Sequence, residues 1–217
     1  MTTKTPNAAR RSEASRRAIL TAAFELAGEI GYAKLTIEAI AARAGVGKQT
    51  IYRWWPSKGA VLFDAFLMLS EGQLPAGVGD GGEAEGEAAV GDTAAALPDT
   101  GDLEADLKAV LRATVAELAD PRYDLPLRGL TSEIMHDADL AALYAERLHE
   151  PVQEMKRTRL RAARAAGQLD PDVDLDVAVE LMWGPVLSRW LMRTAPLTEE
   201  FADSVVEAAL RGLAPKA

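Results

Sequence analysis

The chain has 217 residues, 48% of them hydrophobic and 26% charged, which excludes a wholly disordered or fibrous protein and suits one generous domain or a small domain joined to a larger one. It contains no cysteine, which removes disulfides, thiolate metal sites, iron–sulfur clusters and cysteine nucleophiles together and points to a reducing compartment, the cytoplasm. The formal charge of −9 hides a division: residues 1–60 carry a net +6 and residues 61–217 a net −15, a basic head on an acidic body that steers one end of the molecule toward a polyanion.

No apolar run follows Met1–Asn7 to act as a signal peptide, and no stretch approaches the ~18 apolar residues of a membrane helix, so a soluble protein is expected. Residues 1–11, polar and basic without periodicity, read as a mobile arm. Helical spacing starts after Ser12 as N-cap, with Ile19, Ala23, Leu26 and Ile30 inward, and stops at Gly31. Thr36 caps a short helix that buries Ile37, Ile40, Ala41 and Ala44 and ends at Gly45. A third helix runs from Lys48 to Trp55, Pro56 and Ser57 interrupt it, and a fourth opens at Lys58 with Val61, Leu62, Ala65, Phe66 and Leu69 inward.

Between Pro75 and Gly101 the 27 residues include 7 Gly, 7 Ala and 6 acidic residues with no Lys or Arg, a composition that reads as a flexible surface loop. Periodic helices resume over Leu103–Leu118, Leu125–His136, Asp139–Leu148, Val152–Ala166, Leu175–Thr194 and Glu199–Leu213. No segment alternates with a two-residue period between hairpin turns, so the expected fold class is all-α.

Two short helices joined by Ala44-Gly45-Val46-Gly47 have the spacing of a helix-turn-helix, in which Gly45 supplies the turn and Val46 and Ile51 pack the second helix on the first. Its outward side chains are Lys48, Gln49, Thr50 and Arg53, all able to hydrogen-bond base edges or phosphates in a major groove. Tyr52 and Trp54 can brace the DNA backbone, and Lys58 can pair with a phosphate.

The string from Thr36 to Lys58, TIEAIAARAGVGKQTIYRWWPSK, resembles the DNA-binding signature of the tetracycline-repressor (TetR/AcrR) family of bacterial regulators. The likeness lies in the Thr, the Ile-Ala, the Ala-Gly-Val, the Thr-Ile-Tyr, the aromatic three residues after the Tyr, and the Ser-Lys. Gly47 departs from the usual Ser or Thr, which leaves only its backbone N–H for a phosphate, and Trp55 stands where Phe is commoner. The resemblance implies phosphate contacts at Thr36, Thr50, Tyr52, Trp54 and Lys58, and base reading at Lys48, Gln49 and Arg53. Core filling is the alternative for Tyr52 and Trp54, and Ile51 and Trp55 are assigned to the core. The arm, with Lys4, Arg10 and Arg11, either reaches a minor groove or stays solvated. The domains expected are the arm 1–11, a helix-turn-helix domain 12–57 and a helical regulatory and dimerisation domain 58–217.

The resemblance also implies a ligand-responsive homodimer on a palindromic operator, its partners being double-stranded DNA, a second copy and a small, mostly apolar effector, with a repressor favoured over an activator and no cofactor. The dimer is expected on the last two helices, where Val179, Trp183, Val186 and Trp190 form one stripe and Phe201, Val205, Ala208 and Ala209 another, with burial inside the monomer as the alternative. Gly184-Pro185 is expected to kink the first of them. Effector candidates are Phe66, Leu107, Leu111, Ile134, Met135, Leu143, Tyr144, Met155 and Met182, an adaptable apolar set, with plain core as the alternative. Two competing functions use other features. Glu133-x-x-His136 and Glu146-x-x-His149 are half of a di-iron carboxylate pattern, but only 13 residues separate the pairs. A helical interaction module without DNA would need Lys48–Lys58 to serve another surface. Gly77-x-Gly79-x-x-Gly82 matches a dinucleotide fingerprint without a preceding strand and beside Asp80, Glu83, Glu85 and Glu87, which repel a pyrophosphate.

Overall fold

The structure, a computed structural model, describes residues 6–70 and 97–215. Among these residues every regular element is helical, and the helices in chain order are α1 (Pro6–Ile30), α2 (Ile37–Arg43), α3 (Lys48–Tyr52), α4 (Lys58–Ser70), α5 (Leu103–Ala119), α6 (Pro121–Ile134), α7 (Ala138–Tyr144), α8 (Glu150–Ala165), α9 (Leu175–Met192) and α10 (Glu199–Leu213). A 3-10 turn at Tyr32–Lys34 links α1 to α2, and a π turn at Ala145–His149 joins α7 to α8. The loop 75–96 and the Gly77–Gly82 fingerprint lie outside the described residues, as does the arm before Pro6.

Four boundaries differ most from the sequence expectation. α1 starts at Pro6, so Ser12 is a helix-interior residue and Pro6–Arg11 are helical rather than an arm. Pro6 leads because proline's fixed φ and missing N–H cost nothing in the first turn. α6 likewise begins at Pro121, four residues before the expected Leu125, and carries Pro126 in its interior. α3 is shorter than expected, ending at Tyr52, and the helix expected over Asp139–Leu148 passes into a π turn after Tyr144. The starts of α5, α9 and α10 fall on Leu103, Leu175 and Glu199, as the pattern predicts, and Asp102, Asp174 and Thr198 each accept backbone N–H bonds as N-caps. α9 runs unbroken through Gly184-Pro185.

The described residues divide into two compact units. The first comprises residues up to 70 with 125–144, so α4 packs with the head, whereas the expected boundary fell between residues 57 and 58. Its core joins Ile19, Leu20 and Ala23 of α1 to Ile40, Ile51 and Trp55 and to Val61, Leu62 and Phe63 of α4, all buried. The second unit, residues 97–124 and 145–215, packs α5, α8, α9 and α10 around Leu107, Leu111, Leu160, Met182, Val186 and Val206.

A polar clamp fastens residues 97–101 to the second unit. Arg159, 4% exposed, donates from Nε to the Pro98 carbonyl at 2.7 Å and from Nη2 to Asp106 at 2.9 Å and Asp99 at 3.2 Å. Asp106 in turn accepts from the Thr100 N–H and hydroxyl at 3.0 and 2.8 Å. Arg159 and the Thr100 donors hold the Asp106 carboxyl below the ordinary aspartate range even though burial opposes them. The last five residues of the segment expected to be a loop are thus held in place.

Candidate nucleic-acid interface

Thr36 sets the entry to α2: its backbone is extended and its Oγ1 accepts the Ala39 N–H at 3.1 Å. α2 ends where Gly45 takes φ +67°, with Val46 N–H on the Ala41 carbonyl at 3.0 Å and Gly45 N–H on Ala42 at 3.3 Å, the double bond of a Schellman cap. Gly47 then occupies the N-cap of α3 with no side chain to bond the helix. A Cβ there would meet nothing within 4 Å, so the missing hydroxyl reflects residue type rather than space.

α3 is anchored by fully buried Ile51 and shows Lys48 and Gln49 to solvent, with Thr50 half-buried. Tyr52 is 53% exposed, so core filling does not describe it. Arg53 lies over the half-buried Trp54, 5.1 Å from the ring centroid, and Trp54 meets Trp55 edge-on at 5.4 Å. Trp55 is buried as expected, and its indole N–H donates to Asp64 of α4 at 2.9 Å while Arg16 of α1 donates to the same carboxylate at 3.3 Å. The segment that follows α3 is therefore fixed to two other helices of its unit.

Charge on this face is partly paired. Lys48 Nζ donates to Glu38 at 3.0 Å, which raises the lysine above its ordinary pKa and lowers the glutamate, chiefly through that hydrogen bond. Both side chains are exposed, and a solvent-exposed ion pair contributes little to stability, so Lys48 exchanges partners readily. Arg43 forms a two-pronged pair with Glu29 at 2.9 and 2.8 Å.

Lys58 is placed differently from its expected role. Its Nζ donates to the carbonyls of Tyr32 and Leu35 at 3.0 and 3.1 Å and sits 4.2 Å from the Tyr32 ring centroid. Two of its three donors hold the turn before α2, a structural duty that sequence reading missed because those carbonyls have no residue signature.

The nine effector candidates are divided between the two units. Phe66, Ile134, Met135, Leu143 and Tyr144 belong to the first unit, with Met135 65% exposed, whereas Leu107, Leu111, Met155 and Met182 belong to the second. Two shallow surface depressions lie elsewhere, one of about 450 Å³ on α1 and the end of α2 and one of about 320 Å³ on α5 and α10. None of the nine lines either. The dimer candidates are corrected as well. Val179, Trp183, Val186, Trp190, Val205 and Ala209 are buried in the second unit's own core, and Phe201 is half-buried beneath the Arg189 guanidinium, 3.3 Å from the ring centroid. Trp190 donates its indole N–H to Asp124 at 2.8 Å. α9 carries a second apolar side instead: Val177, Leu181, Leu187, Leu191 and Met192 are exposed, roughly half a turn around the helix from the buried set.

Among the described residues no group of three His, Asp or Glu side chains converges to hold a metal ion. Glu133 and His136 lie in the first unit and Glu146 and His149 in the second, and His136 Nδ1 is taken up by the Ser132 carbonyl at 2.6 Å.

Residues 19–65 match the family described as "Bacterial regulatory proteins, tetR family", and residues 97–209 match "Tetracyclin repressor-like, C-terminal domain". The chain belongs to the TetR family. It is 29% identical over 204 residues to the HTH-type transcriptional regulator YdeS of Bacillus subtilis (strain 168), covering 94% of this chain and 91% of that one. The crystal structure of the TetR family transcription regulator SCO0332 is 36% identical with a TM-score of 0.66, covering 93% of this chain and 99% of the other. A third, the regulator FadR of Bacillus subtilis in complex with stearoyl-CoA, shares the fold at 20% identity and a TM-score of 0.66, covering 90% and 98%. As a TetR-family member the protein is an all-α transcriptional regulator and not an enzyme, which retires the di-iron reading. No helix among the described residues is long and apolar enough to cross a membrane.

Proposed function

We propose that the protein is a repressor that binds a palindromic operator as a homodimer and leaves it when a small, mostly apolar effector occupies its helical body. The observation that carries this reading is the exposed edge of α3. Lys48 and Gln49 stand free of the core on a helix held by Ile51, and Thr36, Gly47, Thr50, Tyr52, Arg53 and Trp54 surround them with donors and aromatic faces suited to phosphates. Lys58 gives two of its three ammonium N–H groups to the turn before α2, and its role is that turn rather than a phosphate.

The second copy fits the outward side of α9. Val177, Leu181 and Leu191 are too much exposed apolar surface for a solvated helix, and Gly184 lies on that side with nothing within 4 Å of its Cβ position, which lets another helix come close. A structural relative crystallised with stearoyl-CoA supports an effector with a long apolar part.

The test is selection from a randomised DNA duplex library with the wild-type protein and Gln49→Ala. Wild type is expected to enrich an inverted repeat. The variant is expected to relax one position in each half-site, by ~1–3 kcal/mol of discrimination. The same repeat at uniformly weaker affinity would remove Gln49 from base reading, and enrichment of no inverted repeat would overturn the dimeric reading.

A further inference from the structure

On α8 the side chains of Gln153, Lys156 and Arg159 recur every three residues and so share one face, neighbours lying about 5–6 Å apart at Cβ. Lys156 is half-buried, and its Nζ lies 4.2 Å from the ring centroid of Trp183 on α9. Its hydrogen-bond partner is the Gln153 amide oxygen, at 3.4 Å, and among the described residues no carboxylate stands within ion-pair distance. Shortage of acids does not explain this: the adjacent Arg157 is paired with Glu150, Glu154 and Asp176 at 3.3, 3.0 and 2.8 Å. Removal from water without a counter-charge pulls the Lys156 ammonium down to about 8.

One turn along the same face, Arg159 commits Nε and Nη2 to the clamp described above. Its enclosed Nη1 has no acceptor among the described residues. A half-buried ammonium without a counter-charge and an enclosed guanidinium N–H without an acceptor among the described residues each carry a desolvation cost. That arrangement is relieved by a ligand that brings the acceptors.

We propose that this face of α8 binds the anionic head of the effector, a carboxylate on an apolar body, with Lys156 Nζ as its ion-pair partner, Arg159 Nη1 as a second donor and Trp183 as the neighbouring apolar wall. A compact monoanion fits because Lys156 and Arg159 each keep an unused N–H and because Asp99 and Asp106, already on Arg159, repel a more highly charged group. The inference rests on the reading of the chain as ligand-responsive and narrows the effector's chemistry.

The test uses the full-length protein and two probes of that chemistry, sodium decanoate for an aliphatic source and sodium 2-naphthoate for an aromatic one, with decan-1-ol as the uncharged match. Calorimetry is run on wild type, Lys156→Met and Lys156→Arg, and release of the selected operator duplex is followed in parallel by fluorescence anisotropy. At least one carboxylate is expected to saturate wild type, to weaken tenfold or more in Lys156→Met and to recover part of that loss in Lys156→Arg, while decan-1-ol stays within twofold throughout. Failure of both carboxylates to saturate, or equal affinity in Lys156→Met, overturns the site. Carboxylate binding that depends on Lys156 but leaves the operator bound upholds the site and sinks the ligand-responsive reading. Release of the operator by decan-1-ol, equal in wild type and Lys156→Met and with no preference for the carboxylates, does the reverse.

Discussion

Replacing Lys58 by Met separates two readings of one residue. Methionine keeps most of the apolar stem and removes the ammonium, so the loss is confined to the two bonds to the Tyr32 and Leu35 carbonyls and the contact with the Tyr32 ring. A hydrogen bond from a charged donor is worth ~1.5–3 kcal/mol and a cation over a ring adds ~0.5–1 kcal/mol. The Tyr32 carbonyl keeps a second partner, the Leu35 N–H at 3.1 Å, so part of the loss is cushioned. The expected destabilisation is about 2–4 kcal/mol, read as a lower midpoint in urea by circular dichroism and a fall in melting temperature of roughly 2–4 °C per kcal/mol. Binding of the selected operator is then measured over a series of salt concentrations. A residue that holds the turn leaves the salt slope unchanged, whereas a phosphate ligand lowers it by ~0.9. An unchanged urea midpoint with a reduced slope would refute the structural role and return Lys58 to the DNA interface.

Gly129→Ala is expected to destabilise by about 1–3 kcal/mol despite alanine's better helix propensity, because its Cβ would overlap the Tyr32 side chain; Gly212→Ala, where a Cβ meets nothing within 4 Å, is expected to gain up to ~1 kcal/mol, and thermal melts compare the two. Leu181→Asp combined with Leu191→Asp is expected to give a folded monomer by light scattering, while Trp190→Asp, which places a charge in the core, is expected to unfold the second unit. Lys156→Met is expected to be more stable than wild type at neutral pH by about 1–3 kcal/mol, since the folded pKa near 8 lies below the ordinary 10.5. Between those values the unfolded wild type keeps a proton that the folded one has lost, so its stability rises with pH and the gap to the variant closes toward pH 10.5. Equal pH dependence in the two proteins would place Lys156 in water.

Much of the helical plan was legible because it rests on local chemistry. Thr36 and Gly45 bound α2 through a side-chain cap and a positive φ, and the starts of α5, α9 and α10 follow from a capping residue just ahead of an apolar period. The edge of α3 was legible for the same reason, since the spacing that buries Ile51 exposes Lys48 and Gln49. Periodicity failed where a helix is apolar on two sides. α9 shows one side to its own unit and the other to solvent, and the two tryptophans suggested that the larger side must be the shared one. Size argues the other way, because large rings fill a monomer core that must exist before any partner arrives. Pro6–Arg11 and the first residues of α6 were missed because a proline at N1 starts a helix without an apolar stripe to reveal it.

The packing of α4 with the first unit has a physical cause in the same region. Tyr32 sits where a Cβ on Gly59 of α4 would come 3.2 Å from its hydroxyl and where one on Gly129 would overlap its side chain, so two glycines in different helices make room for one ring. Burial, reinforced by the nearby Glu133 carboxylate, holds its phenol protonated far above the ordinary range. Lys58 closes the arrangement from α4 by binding the carbonyls on both sides of the 3-10 turn. Thr36, whose oxygen starts α2, follows Leu35 directly, so the origin of the helix-turn-helix is set by α4 and by the α6 residues from Leu125 onward. A head cut after residue 57 lacks the lysine, the glycine notches and the glutamate that fix that origin. The helix-turn-helix is therefore local in sequence while its placement depends on residues about ninety positions further along the chain.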